Sequence, residues 1–408
     1  MADRIIHMFG FEEQWDLAEW GANGIHNEGV AFSADDSNFS TWANTSGLPG
    51  FVTGSRSYKA YYSYYLETGG HYDTALWTED NSGTGACVSG RVGVTVMVDN
   101  IGGTGHAHAE HVVGVRPKGV SIGTANPIYP NYYIASIRCT ASGPTWTATL
   151  WVGSASKAVL PITMGREVPM RFGIEWFWED NRYVARALFN GVAVSDWYAR
   201  TDAIISPPSQ SIGLRFDGLN STNSTGGLTG ATYATCFDDI VHISDTISAI
   251  DTTTQVVTRD EAEPPNVCEN IYVRALDVAS ISANTGAWGN SSATDINIAN
   301  SQDTATKVET TDAVTAKPLR MDVAFDALSG TAPDAILGMT VRCNASKDTF
   351  VTDLQMSEDN FVSTITDATT VLGEGATPTE ISTTVKAAGG ALDVTAVDAM
   401  ELGFRVTA

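Results

Sequence analysis

The chain has 408 residues, a hydrophobic fraction of 43% and a formal net charge of −24. This length exceeds one ordinary domain and the hydrophobic fraction supports packed cores, so we expect two folded domains. The acidic balance argues against nucleic acid and anionic membranes as partners, because clustered Lys and Arg bind both. We find no apolar run long enough to span a bilayer and no secretory signal in residues 1–7.

The 38 glycines, the many Ser and Thr residues and the short apolar runs predict an all-β protein rich in turns. The five cysteines lie far apart and form no CxxC pair, which favours reduced thiols over a disulfide or zinc site. They are Cys87, Cys139, Cys236, Cys268 and Cys343. Synthesis in a cytoplasm is the expectation that follows from reduced thiols.

The first 245 residues contain a series of strand-like segments. They are residues 5–12, 56–66, 91–99, 110–116, 132–140, 146–152, 168–178, 183–189, 192–197, 211–216 and 236–243. Residues 91–99 alternate apolar and polar side chains, as a half-buried strand does. Asn190-Gly191 separates two of the segments and predicts a two-residue hairpin turn, because both residue types tolerate positive φ.

The strand at residues 236–243 closes the first domain, which we place at residues 1–245. Residues 246–268 read as a linker because they are polar, charged and contain Pro264-Pro265. Residues 269–408 are predicted to form a smaller β-sandwich that serves anchoring or oligomerisation. Its predicted strands are 271–277, 304–310, 317–326, 335–344, 349–355 and 400–406.

Three ordered segments of the first domain resemble the concanavalin A-like lectin/glucanase (LamG-like) superfamily. They are Trp176 with residues 183–192, Ser211-Ile212-Gly213-Leu214-Arg215-Phe216, and Phe237-Asp238-Asp239-Ile240. The resemblance implies a jelly-roll β-sandwich whose first and last strands pair in one sheet. Here those strands are Phe9-Gly10-Phe11-Glu12 and residues 237–243.

The order of motifs along the whole chain also resembles structural proteins of tailed bacteriophages. A Phe-Asp-Asp-Ile strand is followed by a Ser-Asp-Thr turn, a Pro-rich segment, and a small domain containing residues 336–342 and 400–406. This resemblance implies a non-enzymatic virion protein on the particle surface, made in the cytoplasm of the host bacterium. Head decoration, fibre and tail component are all open. The implied partners are other capsid or tail proteins, copies of the same chain in a homo-oligomer such as a trimer, and host or environmental glycans.

Glu12, Asp238 and Asp239 would be neighbours if the first and last strands pair. Carboxylates from adjacent strands suit a structural Ca²⁺, although no compact Asp-x-Asp-x-Asp loop accompanies them. The alternative is that these acids cap turns or face water. No cofactor is required by the proposed role.

Glu175-Trp176-Phe177-Trp178-Glu179 is the segment that an enzyme hypothesis must use. Some glucanases of the superfamily carry Glu-x-Asp-x-Glu on a central strand, but here Phe177 replaces the middle acid. We therefore predict no enzyme, with a glycan hydrolase or depolymerase as the alternative. His106, His108 and Glu110 share one strand face and offer a metal site; solvated histidines are the simpler interpretation.

Aromatic side chains bind sugar rings, so an aromatic-rich region is the candidate glycan groove. Its residues would be Tyr61, Tyr62, Tyr64, Tyr65, Trp42 and Trp77. The alternative is that they belong to the sandwich core or to a subunit interface, where Tyr and Trp are also enriched. A bacterial carbohydrate-binding module is the third functional class that this composition leaves open.

Overall fold

A computed structural model provides the structure of the chain. It describes residues 5–9, 25–28, 58–63, 75–78, 89–98, 107–117, 134–142, 145–163, 168–201, 212–217, 220–221, 232–264, 266–269, 271, 273, 278–285, 319–325, 338–345, 351–357, 366–371, 379–386 and 401–407. The chain divides into two compact units, Arg4–Arg274 and Ala275–Ala408 together with Met1–Asp3. All regular elements of the described residues are strands, numbered β1 to β25 in chain order.

Sheet A of the first unit is antiparallel and has eight strands, with the central order β1-β16-β5-β10-β11-β12. The remaining two strands flank it, since β3 pairs with β16 and β13 pairs with β11. The strands are β1 (Ile5–Phe9), β3 (Tyr58–Ser63), β5 (Ser89–Val98), β10 (Met170–Glu179), β11 (Arg182–Phe189), β12 (Val192–Ala193), β13 (Tyr198–Ala199) and β16 (Thr232–Ser244).

Sheet B is also antiparallel and eight-stranded, in the order β2-β4-β14-β6-β7-β8-β9 with β15 beside β6. Its strands are β2 (Ile25–Glu28), β4 (Ala75–Thr78), β6 (Ala107–Pro117), β7 (Ala135–Ser142), β8 (Thr145–Val152), β9 (Ala155–Val159), β14 (Ile212–Asp217) and β15 (Asn220–Ser221). The middle strands β10 and β11 contact β6, β7 and β8, so the two sheets form a sandwich.

The interior of the sandwich follows from the period of two along each strand. Sheet A turns Val92, Val94, Val96, Phe172, Ile174 and Trp176 towards sheet B, and all of them are buried. Sheet B contributes Ile137, Cys139, Ala148, Leu150 and Val152, which are also buried. The apolar side chains of the alternation predicted for residues 91–99 therefore belong to the core of the sandwich.

The first and last strands of this unit are neighbours. β1 pairs antiparallel with β16, with Ile5 opposite Ile243 and Phe9 opposite Ile240. On its other side β16 pairs with β5, and the register shifts between Asp238 and Val241. Asp239 adopts a φ of 49° in this bulge. The pairing is the one that the lectin/glucanase resemblance implies, but β1 ends at Phe9, and Glu12 lies outside the described residues.

The predicted Asn190-Gly191 hairpin is confirmed. Asn190 and Gly191 have φ values of 46° and 81°, and Phe189 pairs with Val192 across the turn. The predicted strand over residues 192–197 is wrong beyond Ala193. It is replaced by two short strands, β12 and β13, which pair side by side with β11.

The second unit contains two antiparallel sheets. Five strands follow the order β19-β20-β25-β22-β23, and β21 pairs with β24. They are β19 (Val278–Thr285), β20 (Leu319–Phe325), β21 (Gly338–Ala345), β22 (Val351–Ser357), β23 (Thr366–Val371), β24 (Thr379–Lys386) and β25 (Glu401–Thr407). The predicted strands at 317–326, 335–344, 349–355 and 400–406 match four of them, whereas the one at 304–310 lies outside the described residues. The predicted all-β fold class is confirmed.

Residues 246–268, predicted to be a linker, are instead packed on the first unit. They begin with a hairpin of β17 (Ile247–Asp251) and β18 (Val256–Arg259). Asp251 closes its turn by accepting hydrogen bonds from Thr254 Oγ1 at 2.6 Å and from the Thr253 amide at 2.8 Å. These bonds, led by that of the Thr254 hydroxyl, lower the pKa of Asp251. The threonine run that suggested a linker is thus a turn.

Residues 266–273, here called the strap, follow the hairpin. Val267 and Cys268 are buried, at 1% and 0% exposure, against Leu188, Val241 and Ile243 of sheet A. Gly93 and Gly173 lie opposite each other on β5 and β10 beneath the strap. A Cβ atom at Gly93 would overlap the Val267 carbonyl, and one at Gly173 would overlap the Cys268 side chain. The two glycines therefore allow the close approach of the strap, and the unit extends to Arg274 rather than to residue 245.

Replacing Gly173 by Ala tests this close approach. We expect Gly173→Ala to lower the free energy of unfolding by about 1–3 kcal/mol, because the added methyl group overpacks the site beneath Cys268. Urea unfolding followed by tryptophan fluorescence measures the change. The exposed Val256→Ala variant is the control and should stay within about 0.5 kcal/mol of the parent. An unchanged midpoint for Gly173→Ala would contradict the packing described.

Candidate functional site

The face of sheet A that points away from sheet B carries a row of charged residues. Glu175 on β10 lies opposite Arg91 on β5 and opposite Arg186 on β11, so all three side chains share this outer face. Glu175 and Arg91 are buried, at 0% and 2% exposure. Adjacent strands thus place one carboxylate between two guanidinium groups, in the middle of the sheet rather than at its rim.

These residues belong to a larger ion-pair network. Arg91 and Arg186 each form a salt bridge with Glu175, and Nη2 of Arg259 lies 3.6 Å from its Oε1. Arg259 comes from β18 and also bonds Asp245 at 3.2 Å. Glu263 completes the network, 3.0 Å from Arg91 and 3.6 Å from Arg259. Three cations therefore face three carboxylates, which are Glu175, Asp245 and Glu263.

Apolar side chains and an aromatic ring cover the network. Phe177, Val184 and Trp197 of the sheet region pack against Ile247 and Ile250 of the hairpin, all of them buried. The guanidinium of Arg186 also lies 4.8 Å from the centre of the Trp197 ring, which is a cation–π contact. Glu263 is the member that reaches solvent, with a side chain 61% exposed.

The pKa shifts of Arg91 and Glu263 both favour the charged forms of these side chains. Burial by itself lowers the pKa of Arg91, but the Glu175 carboxylate and the hydrogen bond to Glu263 outweigh it and raise that pKa. The hydrogen bond from Arg91 is the main reason that the pKa of Glu263 is lowered from its ordinary 4.5. The contribution of Glu263 to stability is therefore present above about pH 4.5 and is lost as the pH falls further.

The environment of Glu175 does not suit a glycosidase carboxyl group. Both of its oxygens face guanidinium groups, and the hairpin excludes substrate from it. A retaining glycosidase needs two accessible carboxyl groups about 5–5.5 Å apart. Glu179 lies at the end of β10, next to the Asp180-Asn181 turn, and is half-buried. The geometry therefore gives Glu175 a structural role.

Glu175→Gln tests that role. We expect this variant to lose about 3–5 kcal/mol of unfolding free energy, because it leaves buried arginines without their shared carboxylate. Glu179→Gln is the matched control and should change stability by less than about 0.5 kcal/mol. Thermal and urea unfolding of both variants provide the comparison. Equal stability of the two variants would mean that the network contributes nothing.

The predicted calcium ligands Asp238 and Asp239 are both buried, at 2% exposure. Oδ1 of Asp239 accepts the Val273 amide of the strap at 2.7 Å, and its Oδ2 accepts the Thr95 hydroxyl at 3.4 Å. Oδ1 of Asp238 accepts the Asp239 amide at 2.7 Å. Protein donors therefore account for these carboxylates. Since Glu12 lies outside the described residues, the predicted ion stays a prediction, and the described residues include no group of three or more metal-binding side chains.

Arg171 sits beside Asp239 and joins the sheet to the strap. Its guanidinium donates to the Thr95 hydroxyl at 3.0 Å, to the backbone carbonyl of Asp239 and, at 2.7 Å, to the carbonyl of Val267. The backbone amide of Arg171 donates to the side chain of Asn190 at 3.2 Å. One buried arginine thus satisfies carbonyls from both β16 and the strap.

The accessibility of the Cys268 thiol indicates whether the strap is packed against sheet A. Its thiol is fully buried and lies 3.4 Å from the Val92 carbonyl. Burial raises the pKa of Cys268 from 9.0 to about 12. Cys139 is also buried, and neither Cys139 nor Cys268 is part of a disulfide.

We expect iodoacetamide not to label Cys268 in the folded protein at pH 8, because the thiol is buried and protonated. Peptide mapping by mass spectrometry after native labelling, with the same reaction in 8 M urea as the positive control, measures this. Because the raised pKa favours the protonated thiol only in the folded state, its stabilising effect is complete below pH 9 and decreases between pH 9 and pH 12. Rapid native labelling would show that the strap is not docked in solution.

The structure does not bring the predicted glycan residues onto one sheet. Tyr61 and Tyr62 lie on β3 of sheet A, whereas Trp77 lies on β4 of sheet B. Trp42, Tyr64 and Tyr65 are outside the described residues. His108 and Glu110 lie on β6, with His106 outside the described residues. The glycan groove and the histidine site stay predictions.

Sequence reasoning did not identify Arg91, Arg186 and Arg259 as partners of Glu175. A signal was present for the first two: both interrupt apolar strands at positions that place them on one face. Arg259 carried no such signal, since it lay in the segment interpreted as a linker.

No helix in the described part of the chain is long and apolar enough to cross a membrane.

These features define a class: an all-β protein whose first unit is a sandwich of two antiparallel sheets, with its first and last strands paired in one of them. No protein-family model and no curated protein matches the sequence. Among solved structures, the chain is similar to the CBM2 module of the evolved Dit of Lactobacillus casei BL23 phage J-1, with 14% identity, 59% of this chain and 96% of that chain covered, and a TM-score of 0.33.

Two enzymes show likeness of the same order. The catalytic domain of the glycoside hydrolase family 131 protein from Coprinopsis cinerea has 12% identity, covers 59% of this chain and 94% of that chain, and has a TM-score of 0.35. An endo-1,3-beta-glucanase from Streptomyces sioyaensis has 11% identity, 59% and 90% coverage, and a TM-score of 0.34. Likenesses this distant transfer no activity and no ligand to this chain.

Proposed function

We propose that this protein is a non-enzymatic structural component on the surface of a tailed-phage virion, as a head decoration protein, a fibre or a tail component. The observation that supports a non-enzymatic role is the burial of Glu175 between two arginines. This carboxylate belongs to the segment that the enzyme alternative must use, and it is bound by arginines beneath the hairpin.

The virion role rests on the order of motifs along the sequence, which resembles phage structural proteins. A second support is the division of the chain into two β units, since a two-unit chain can separate adhesion from anchoring. In this proposal the first unit faces outward, with host or environmental glycans as its ligands, and the second unit anchors the protein to other virion proteins. No catalytic cofactor is needed.

Self-association into a symmetric homo-oligomer, such as a trimer, is part of the proposal. Its support is the chemistry of two edge strands. Sheet B ends at β9, where Val159 is 68% exposed, and sheet A ends at β12, where Val192 is 66% exposed. Unpaired edges with exposed apolar side chains are commonly covered by a partner. Copies of the same chain would supply that cover.

We expect the protein to be present in purified particles, detected by mass spectrometry, and to form a defined oligomer at high concentration, detected by light scattering after gel filtration. Val159→Lys should shift the oligomer towards monomer, because a charge replaces an apolar contact at the edge. Val256→Lys, on the exposed side of the hairpin, is the matched control and should leave the oligomer unchanged.

Three results would contradict the proposal. The virion role fails if the protein is absent from particles and stays monomeric. The non-enzymatic role fails if the protein degrades β-glucans or capsular polysaccharides and Glu179→Gln abolishes that activity. Strong, specific binding on a glycan array by a protein that is absent from particles would favour a bacterial carbohydrate-binding module.

A further inference from the structure

The strap is the last described part of the first unit before the chain passes to the second unit. Its final described residue is Val273, and the division between units falls after Arg274. Among the described residues of the first unit, Val273 is therefore the first that tension along the chain from the second unit reaches. How that residue is held decides where the tension enters the sandwich.

Val273 is held at the middle of sheet A and not at an edge. Its amide donates to Asp239 at 2.7 Å, and Asp239 lies in the bulge of β16, which pairs with β5 on one side and with β1 and β3 on the other. Val273 is itself 8% exposed and packs in the same cluster as Val267 and Cys268.

The rest of the strap is attached to two further central strands. Arg171 on β10 donates to the Val267 carbonyl, and the Cys268 thiol donates to the Val92 carbonyl on β5. The side-chain amide Nδ2 of Asn266 donates to the backbone carbonyl of Gly191 at 2.8 Å, in the β11–β12 turn. Four separate attachment points thus hold the described residues of the strap, and Gly93 and Gly173 let Val267 and Cys268 lie against the backbone of the sheet.

The opposite end of the packed segment is fastened independently. Arg259 and Glu263 connect the hairpin to Asp245, Glu175 and Arg91 through the ion-pair network. If the strap were released, the network would still hold the hairpin, so detachment would meet two successive barriers. A segment that only connects two domains would not need two independent sets of contacts with the sheet.

We propose that the strap is a mechanical clasp, which means that it transfers tension from the second unit to the central strands β5, β10 and β16. It thereby prevents residues 247–273 from detaching from the sandwich. The inference does not depend on the proposed virion role, since it follows from the contacts of one chain. It also explains why a segment with the composition of a linker carries buried residues.

Single-molecule pulling of the full chain tests the clasp. One handle is placed at the C-terminus and the other at a unique coupling residue that replaces the exposed Ser156 on β9. At roughly 3.4 Å per residue, release of the strap alone would give an extension step of up to about 27 Å, and release of the hairpin as well would bring the total for residues 247–273 to about 90 Å. Unfolding of the second unit, residues 275–408, gives a far longer step, so the two events are distinguishable.

In the parent protein we expect no short step before the first unit unfolds as a whole. Gly173→Ala should introduce the short step at low force, because its added methyl group displaces Cys268. Val256→Ala, on the solvent side of the hairpin, should behave as the parent does. A short low-force step in the parent, or the absence of one in Gly173→Ala, would overturn the proposal.

Asp239→Gly covers the case in which Gly173→Ala fails to fold. Gly tolerates the positive φ at this position, so the bulge is retained while the carboxylate that accepts the Val273 amide is removed. The short step should then appear, and labelling of Cys268 by iodoacetamide in native buffer should become at least tenfold faster. Parent-like pulling traces together with parent-like labelling of Asp239→Gly would also overturn the clasp.

Discussion

The shared carboxylate of Glu175 is the constraint on which the first unit depends. A carboxylate at 0% exposure is stable only where its lost hydration is replaced, and here salt bridges from Arg91 and Arg186 replace it. Those arginines are buried or half-buried in turn, so they need further carboxylates and an apolar cover. The hairpin supplies both, through Glu263 just beyond it and through Ile247 and Ile250. The sheet and the hairpin therefore stabilise each other, and neither arrangement of charges is satisfied without the other.

The same face of sheet A also holds the strap, and here the contacts are made by backbone groups instead of ion pairs. Next to the charged row, Gly93 and Gly173 remove side chains from two adjacent strands, and the backbone of the strap fills the space. Backbone carbonyls brought this close to a sheet need donors, and Arg171 provides them for Val267 and for the bulge at Asp239. Between the hairpin and the strap, the described part of this face is occupied by the chain itself. The charged and glycine positions of the central strand are therefore engaged by residues of the hairpin and the strap.

Much of the fold could be predicted from local patterns. The alternation of residues 91–98 and the Asn190-Gly191 turn each have a cause that a short stretch of sequence contains. The pairing of the opening and closing strands came from the lectin/glucanase resemblance and not from a local pattern. The hairpin at residues 247–259 could not be recognised in the same way, because only one of its faces is buried and its turn is a run of threonines. The network was also hidden. Glu175 and Arg259 are 84 positions apart (259 − 175), and only the pairing of the strands brings them together. Composition alone cannot distinguish a polar segment that crosses solvent from one that lies on a sheet.

The network also determines where the net charge of the chain resides. Its three arginines cancel its three carboxylates, so the whole formal charge of −24 belongs to the remaining residues. Copies of this protein therefore repel one another at distances of about one Debye length, roughly 8 Å at physiological ionic strength. In the proposed assembly, long-range attraction between like copies cannot guide association, and short-range burial has to supply it. Edge strands with exposed Val159 and Val192 are suited to that, because an apolar contact forms only after the copies are already close. An acidic surface with apolar edges thus favours association at a fixed, high local concentration, such as an array of binding positions on a particle, over association in dilute solution.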